Sequence, residues 1–143
     1  MNSRRLVGEA FLHILAFALI ALPNLYETKG AQAKESLLAS QPFNPEALAA
    51  ARASGKPVFV YFTADWCLSC KANEAGAINR EAVQAAFDKA GVVTLVGDWT
   101  NGDPVITRTL AEHGRNSVPL YLWYAPGADK PEILPQILTP GML

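Results

Sequence analysis

The sequence predicts an α/β domain built on a mixed β-sheet, and three observations predict it. Short apolar runs at residues 58–63, 92–98 and 120–124 alternate with stretches of helical spacing. The first two runs are apolar at successive positions, as expected of strands covered on both faces. The stretches between them carry capping residues at their starts and glycines at their ends. The resulting order is helix–strand–helix–helix–strand–helix–strand–strand, which closes most simply as one sheet with helices against it.

Each element has a local cause. Asn44-Pro45 opens a helix whose apolar stripe is Ala47, Leu48 and Ala51, and Gly55 closes it. A short polar N-cap, proline at the first helical position and glycine past the end each satisfy a backbone requirement of a helix terminus. Residues 58–63 follow as a central strand. Residues 80–90 place Val83, Ala86, Phe87 and Ala90 at helical spacing before Gly91. The run at 92–98 is the second strand. Asp103-Pro104 opens a further helix with Val105, Ile106 and Leu110 inward, ended by Gly114. After the strand at 120–124, Gly127 and Asp129 mark a turn, and residues 132–138 return as an antiparallel strand. Pro135 cannot donate to a sheet ladder and places that strand at an edge.

The bulk properties bound the function. A chain of 143 residues, half hydrophobic and 17% charged, holds one packed domain and little else. Twelve basic and 13 acidic residues leave a net charge of −1, so nothing points to nucleic acid. The N-terminus is a separate object. Arg4 and Arg5 precede an apolar run from Ala10 to Leu22 that His13 interrupts and Pro23-Asn24 closes. Residues 1–26 therefore read as a signal anchor or a signal peptide. A full span needs about 20 residues, and reaching that length takes in Glu9 and His13, both costly in lipid. Ala31-Gln32-Ala33 offers a small-x-small cleavage site. Either outcome exports the chain from about Lys34 onward, because positive charge keeps the short N-terminal side in the cytoplasm. Residues 27–42 read as a linker and residues 43–143 as the domain.

Chemistry concentrates in Trp66-Cys67-Leu68-Ser69-Cys70-Lys71, which holds both cysteines of the chain. Two cysteines are too few for a disulfide-stapled scaffold. A Cys-x-x-Cys pair at a strand-to-helix junction suits thiol–disulfide exchange. The first sulfur lies at a helix N-terminus, which favours thiolate, and the second sits one turn further on. Structural zinc needs four ligands, and the only histidines are His13 and His113. An inert disulfide across two residues gains little chain entropy. Redox chemistry without metal or cofactor is the favoured reading. Lys71 favours thiolate, while Asp65 and Glu74 oppose it. Glu74 lies four residues after Cys70, on the same helix face. Trp66 is expected as a lid beside the thiols, and Trp99 and Trp123 are expected to pack in the core or at its edge.

The stretch from Phe62 to Lys71, followed by Asn73-Glu74, resembles the C-terminal thioredoxin-like domain of the DsbD family of thiol:disulfide interchange proteins. The tracts Asp98-Trp99-Thr100, Ser117-Val118-Pro119 and Leu138-Thr139-Pro140-Gly141 belong to the same resemblance. It implies a thioredoxin-like fold, with Cys67 as the exposed nucleophile and Cys70 as the resolving thiol. Pro119 is implied as the cis-proline facing the cysteines, and the backbone of Val118 as the edge that pairs with an extended substrate. The implied activity is protein-disulfide reduction on disulfide-containing or dithiol periplasmic proteins, fed by a membrane electron donor. The implied location is the inner membrane, single-pass with a periplasmic domain, or the periplasm itself if the chain is cleaved near Ala33. The rival reading is a thioredoxin-fold binding or chaperone-like module; a third is a fragment of a larger transmembrane reductase. Two departures stand out. Tyr61 occupies the position where thioredoxins carry a buried aspartate, and tyrosine is a poor base near neutral pH. The chain stops at Leu143 where a final helix would begin, so one sheet face is expected to be exposed.

Overall fold

The computed structural model describes residues 36–143, which form one compact unit. Its elements are β1 (Ser40–Pro42), α1 (Pro45–Ala53), β2 (Val58–Thr63), α2 (Leu68–Asn73), a π-helical turn (Glu74–Ile78), α3 (Glu81–Ala90), β3 (Val93–Asp98), α4 (Pro104–Glu112), β4 (Leu120–Tyr124), β5 (Glu132–Ile133) and a closing 3₁₀ turn (Pro140–Met142). The expected reading of residues 1–26 and of most of the linker lies outside the described residues. No helix among the described residues is long and apolar enough to cross a membrane.

The sheet order is β1-β3-β2-β4-β5. β1 and β2 both run parallel to β3, and β4 pairs antiparallel with β2, in the register Val60↔Leu122. All six residues of β2 are buried, as the unbroken apolar run requires of a strand with neighbours on both edges and helices on both faces. Val58, Val60 and Phe62 face one cluster with Ile106 and Leu110 of α4 and Ala51 of α1. Phe59 and Tyr61 face the other, with Val83 and Phe87 of α3.

The caps act as their chemistry predicts. Asn44 accepts from the Ala47 amide at 2.7 Å, and Asp103 accepts from the Val105 and Ile106 amides. Gly91 ends α3 at φ 66°, a left-handed conformation that glycine adopts without a Cβ clash. His113 caps α4 through its backbone, with Nδ1 2.8 Å from the Thr109 carbonyl.

Four expectations change. The domain begins before residue 43: Ser40–Pro42 form edge strand β1, and Leu38 is buried. A three-residue strand is held by backbone pairing with β3, which leaves no side-chain period to read. Ala86 and Ala90 of α3 are exposed, and only Val83 and Phe87 turn inward. The strand expected over 132–138 is two residues long, at the sheet edge, and stops before Pro135. Finally, the second sheet face is covered. Phe59, Tyr61 and Tyr121 are each at most 5% exposed, beneath Leu38, Leu134 and Leu138. The segment after β5 crosses this face because its two leucines bury apolar surface and Asn73 holds its backbone. Asn73 Nδ2 donates to the Gln136 carbonyl at 2.6 Å, and its Oδ1 accepts from the Leu138 amide at 3.1 Å.

Candidate active site

β2 delivers the chain to residues 64–66, and α2 starts two residues later. Cys67 occupies the N-cap of α2 in an extended conformation, and its Sγ accepts from the Cys70 amide at 3.2 Å. That amide is one of the unpaired donors at a helix start, so it favours negative charge on this sulfur over the other. Cys67 and Cys70 form a disulfide, with Cα atoms 5.2 Å apart. Cys70 is fully buried and Cys67 is 5% exposed, so Cys67 is far less open than the exposed sulfur that the resemblance implied. The facing loop is what covers it. The Val118–Pro119 peptide is cis, and the Val118 carbonyl lies 3.9 Å from Cys67 Sγ. Ser69 Oγ lies on another side at 3.5 Å.

The rim is apolar. Trp66 is 56% exposed and Leu68 is 87% exposed, an unusual position for two large apolar side chains flanking a buried sulfur. Trp66 is therefore a wall beside the pair and not a cover over it. Its ring tilts against Trp99 at 6.0 Å, and its Nε1 donates to the Thr100 carbonyl at 3.2 Å. Trp99 and Trp123 are partly buried and pack on the two core clusters, as expected.

The charged residues assemble differently from the simple contest read in the sequence. Lys71 Nζ binds Glu74 Oε2 at 3.1 Å and lies 4.0 Å from Asp65 Oδ1. Glu74 also accepts a hydrogen bond from Thr63 Oγ1. The ammonium and the two carboxylates thus compensate one another, and none is hydrogen-bonded to either sulfur. Asp65 lies outside the first turn of α2, with its side chain 82% exposed.

Tyr61 sits on the second sheet face. Burial pushes its phenol above the ordinary value, Ser36 and Ser40 hydroxyls oppose this, and the Glu74 carboxylate adds to it. It remains a neutral phenol at any ordinary pH and supplies no base. Tyr121, also buried, is pushed up to about 12, partly offset by the hydrogen bond from Asn73. Among the described residues no group of three or more His, Cys, Asp or Glu side chains converges as metal ligands would.

The sequence by itself points to no site role for Asn73 or Thr100. Asn73-Glu74 and Asp98-Trp99-Thr100 both belong to the resemblance, and Asn73 lies on the helix that starts at the cysteines.

Known proteins resemble this chain in sequence and in fold. Thiol:disulfide interchange protein DsbD 1 of Pseudomonas aeruginosa is 36% identical over 84 residues, which is 59% of this chain and 14% of that protein. DsbD of Ralstonia nicotianae is 47% identical over 55 residues, 38% of this chain and 9% of that one. The chain thus spans a small part of the curated relatives it matches. The oxidised C-terminal domain of Neisseria meningitidis DsbD superposes with a TM-score of 0.56 at 27% identity, covering 71% of this chain and 91% of that domain. A family model described as thioredoxin-like matches residues 39–126, from the edge of β1 to just past β4. With a Cys-x-x-Cys disulfide at the start of α2 and a cis-proline across from it in the same span, the chain belongs to the thioredoxin-like family.

Proposed function

We propose that this chain is a thiol:disulfide oxidoreductase of DsbD type that acts as a protein-disulfide reductase on the periplasmic side of the inner membrane. The observation that carries the reading is the Cys67–Cys70 pair itself: one sulfur at a helix N-terminus beneath an apolar rim, the other fully buried behind it. Only the first can meet a partner. In the reduced form the Cys67 thiolate attacks one sulfur of the partner disulfide. A mixed disulfide forms, and the partner's other sulfur leaves as a thiolate that takes up a proton. Cys70, as thiolate, then attacks Cys67 Sγ, breaks the mixed disulfide and releases the second partner sulfur. The partner gains two electrons and two protons, and the pair returns to the disulfide. A membrane-bound dithiol donor resets it by the reverse exchange. Residues 1–26 tether the domain as a signal anchor, or export it if cleaved near Ala33; this rests on the basic-then-apolar sequence alone.

An insulin-type disulfide reduction assay tests the activity. Wild-type protein reduces the substrate, Cys67→Ser abolishes turnover, and Cys70→Ser accumulates a mixed disulfide through Cys67. A wild-type protein inert with every dithiol donor would leave a binding module in place of an enzyme. The direction is read from the reduction potential of the pair. A value near about −270 mV supports a reductase, and one near about −120 mV an oxidase.

A further inference from the structure

Between the strand ends, the loop after β3 is bolted to the loop that carries Cys67, and one side chain makes most of the joint. Thr100 Oγ1 accepts from the Asp65 amide at 2.9 Å and donates to Asp98 Oδ1. The Thr100 amide donates to the same Asp98 oxygen at 2.9 Å, and the Thr100 carbonyl accepts from Trp66 Nε1. Trp99 N completes the joint by donating to the Thr63 carbonyl at 2.8 Å. Thr100 therefore contacts both residues that immediately precede Cys67, one through its side chain and one through its backbone. Asp98 anchors Thr100 in turn, by two hydrogen bonds to one carboxylate oxygen.

We infer that Thr100 is a positioning residue for Cys67: through Asp65 and Trp66 it holds the turn that keeps the Cys67 sulfur on the Cys70 amide. The turn itself is closed by one backbone bond, from the Cys67 amide to the Ala64 carbonyl at 3.1 Å. Residues 65 and 66 have exposed side chains, so little core packing orders them. The Thr100 contacts supply that order. Without the hydroxyl, the Asp65 amide turns to water, Asp98 loses half of its grip, and Cys67 spends less time in the extended N-cap conformation that presents Sγ to the helix start. The thiolate then loses stabilisation that the protonated thiol never had.

This rests on the reading of Cys67 as the nucleophile, and its test needs no partner protein. Reduced full-length protein is alkylated with iodoacetamide at pH 7, and the adduct at Cys67 is located by tandem mass spectrometry. Thr100→Val, close in shape but without the hydroxyl, slows modification about threefold, the effect of a rise of about one unit in thiol pKa once the greater nucleophilicity of the more basic thiolate is counted. Thr100→Ser restores the wild-type rate. The Trp66 indole N–H resonance moves in Thr100→Val and returns in Thr100→Ser. A melting temperature close to wild type shows that the change is local; if Thr100→Val fails to fold, Asp98→Ala, which removes the anchor, gives the same readout. A Cys67 rate within experimental error of wild type, or a slowed rate that serine does not rescue, overturns the inference. A wild-type protein that cannot reduce insulin would overturn the proposed function and leave this result standing.

Discussion

Replacing Asn73 by alanine should cost more than any other single polar substitution in the described domain. Asn73 is 6% exposed and spends its amide on three partners: the Tyr121 hydroxyl at 2.8 Å, the Gln136 carbonyl at 2.6 Å and the Leu138 amide at 3.1 Å. Each bond contributes about 1 kcal/mol net, and a buried donor or acceptor left unpaired costs about 1–3 kcal/mol. Tyr121 is 1% exposed and Leu138 is 7% exposed, so at least two partners are orphaned in surroundings that water reaches poorly. The expected loss is about 3–5 kcal/mol, a large share of the stability of a domain this size. At about 4 °C per kcal/mol the melting temperature falls by about 12 °C or more. Urea denaturation of the oxidised protein measures the loss. Hydrogen exchange at the Leu138 amide shows where it arises, because the segment over the second sheet face should open well before the rest unfolds. A loss below about 1 kcal/mol with Leu138 still protected would refute the reasoning, since the segment would then be held by Leu134 and Leu138 packing alone.

Two further outcomes follow from the core. Tyr121 titrates at about 12 in the folded protein against about 10 unfolded, so its contribution is intact below pH 10 and is lost as pH rises from 10 to 12. The sign follows because the unfolded chain releases its proton first. Urea midpoints should fall across that window by an amount worth up to about 2–3 kcal/mol, and less steeply in Tyr121→Phe; parallel declines would count against it. Gly97→Ala should destabilise by about 1–3 kcal/mol through overpacking, because a Cβ there would overlap the ring of the fully buried Phe62. A urea midpoint unchanged from wild type would show that Phe62 can shift aside, despite its edge contact with Phe43 at 4.8 Å.

Much of this molecule is legible without coordinates because its signals are local. Asn44-Pro45 and Asp103-Pro104 state where helices begin, since the cap and the amides it satisfies lie within three residues. Residues 58–63 announce a strand buried on both faces, and the Cys-x-x-Cys at its end announces the chemistry. β1 leaves no such local signal. Ser40–Pro42 owe their conformation to β3, more than 50 residues away, and hold only the edge of the sheet. The contest among Asp65, Lys71 and Glu74 was legible as charges but not as geometry, because their mutual pairing depends on how the turn before α2 folds back.

The sequence by itself determined the order of elements, the ends of most helices, the thiol pair and its place at a helix start. These depend on periodicity and capping, interactions that close within one or two turns. Only the tertiary structure decided which face the residues after β5 would cover, how far Cys67 is shielded by the Val118 carbonyl, and that Thr100 would reach Asp65 and Trp66 from 34 to 35 positions away. Each of those is a contact between segments that neither segment encodes alone. The last exists because parallel pairing of β2 with β3 brings their C-terminal ends side by side, Thr63 opposite Asp98, at the point where the cysteines emerge.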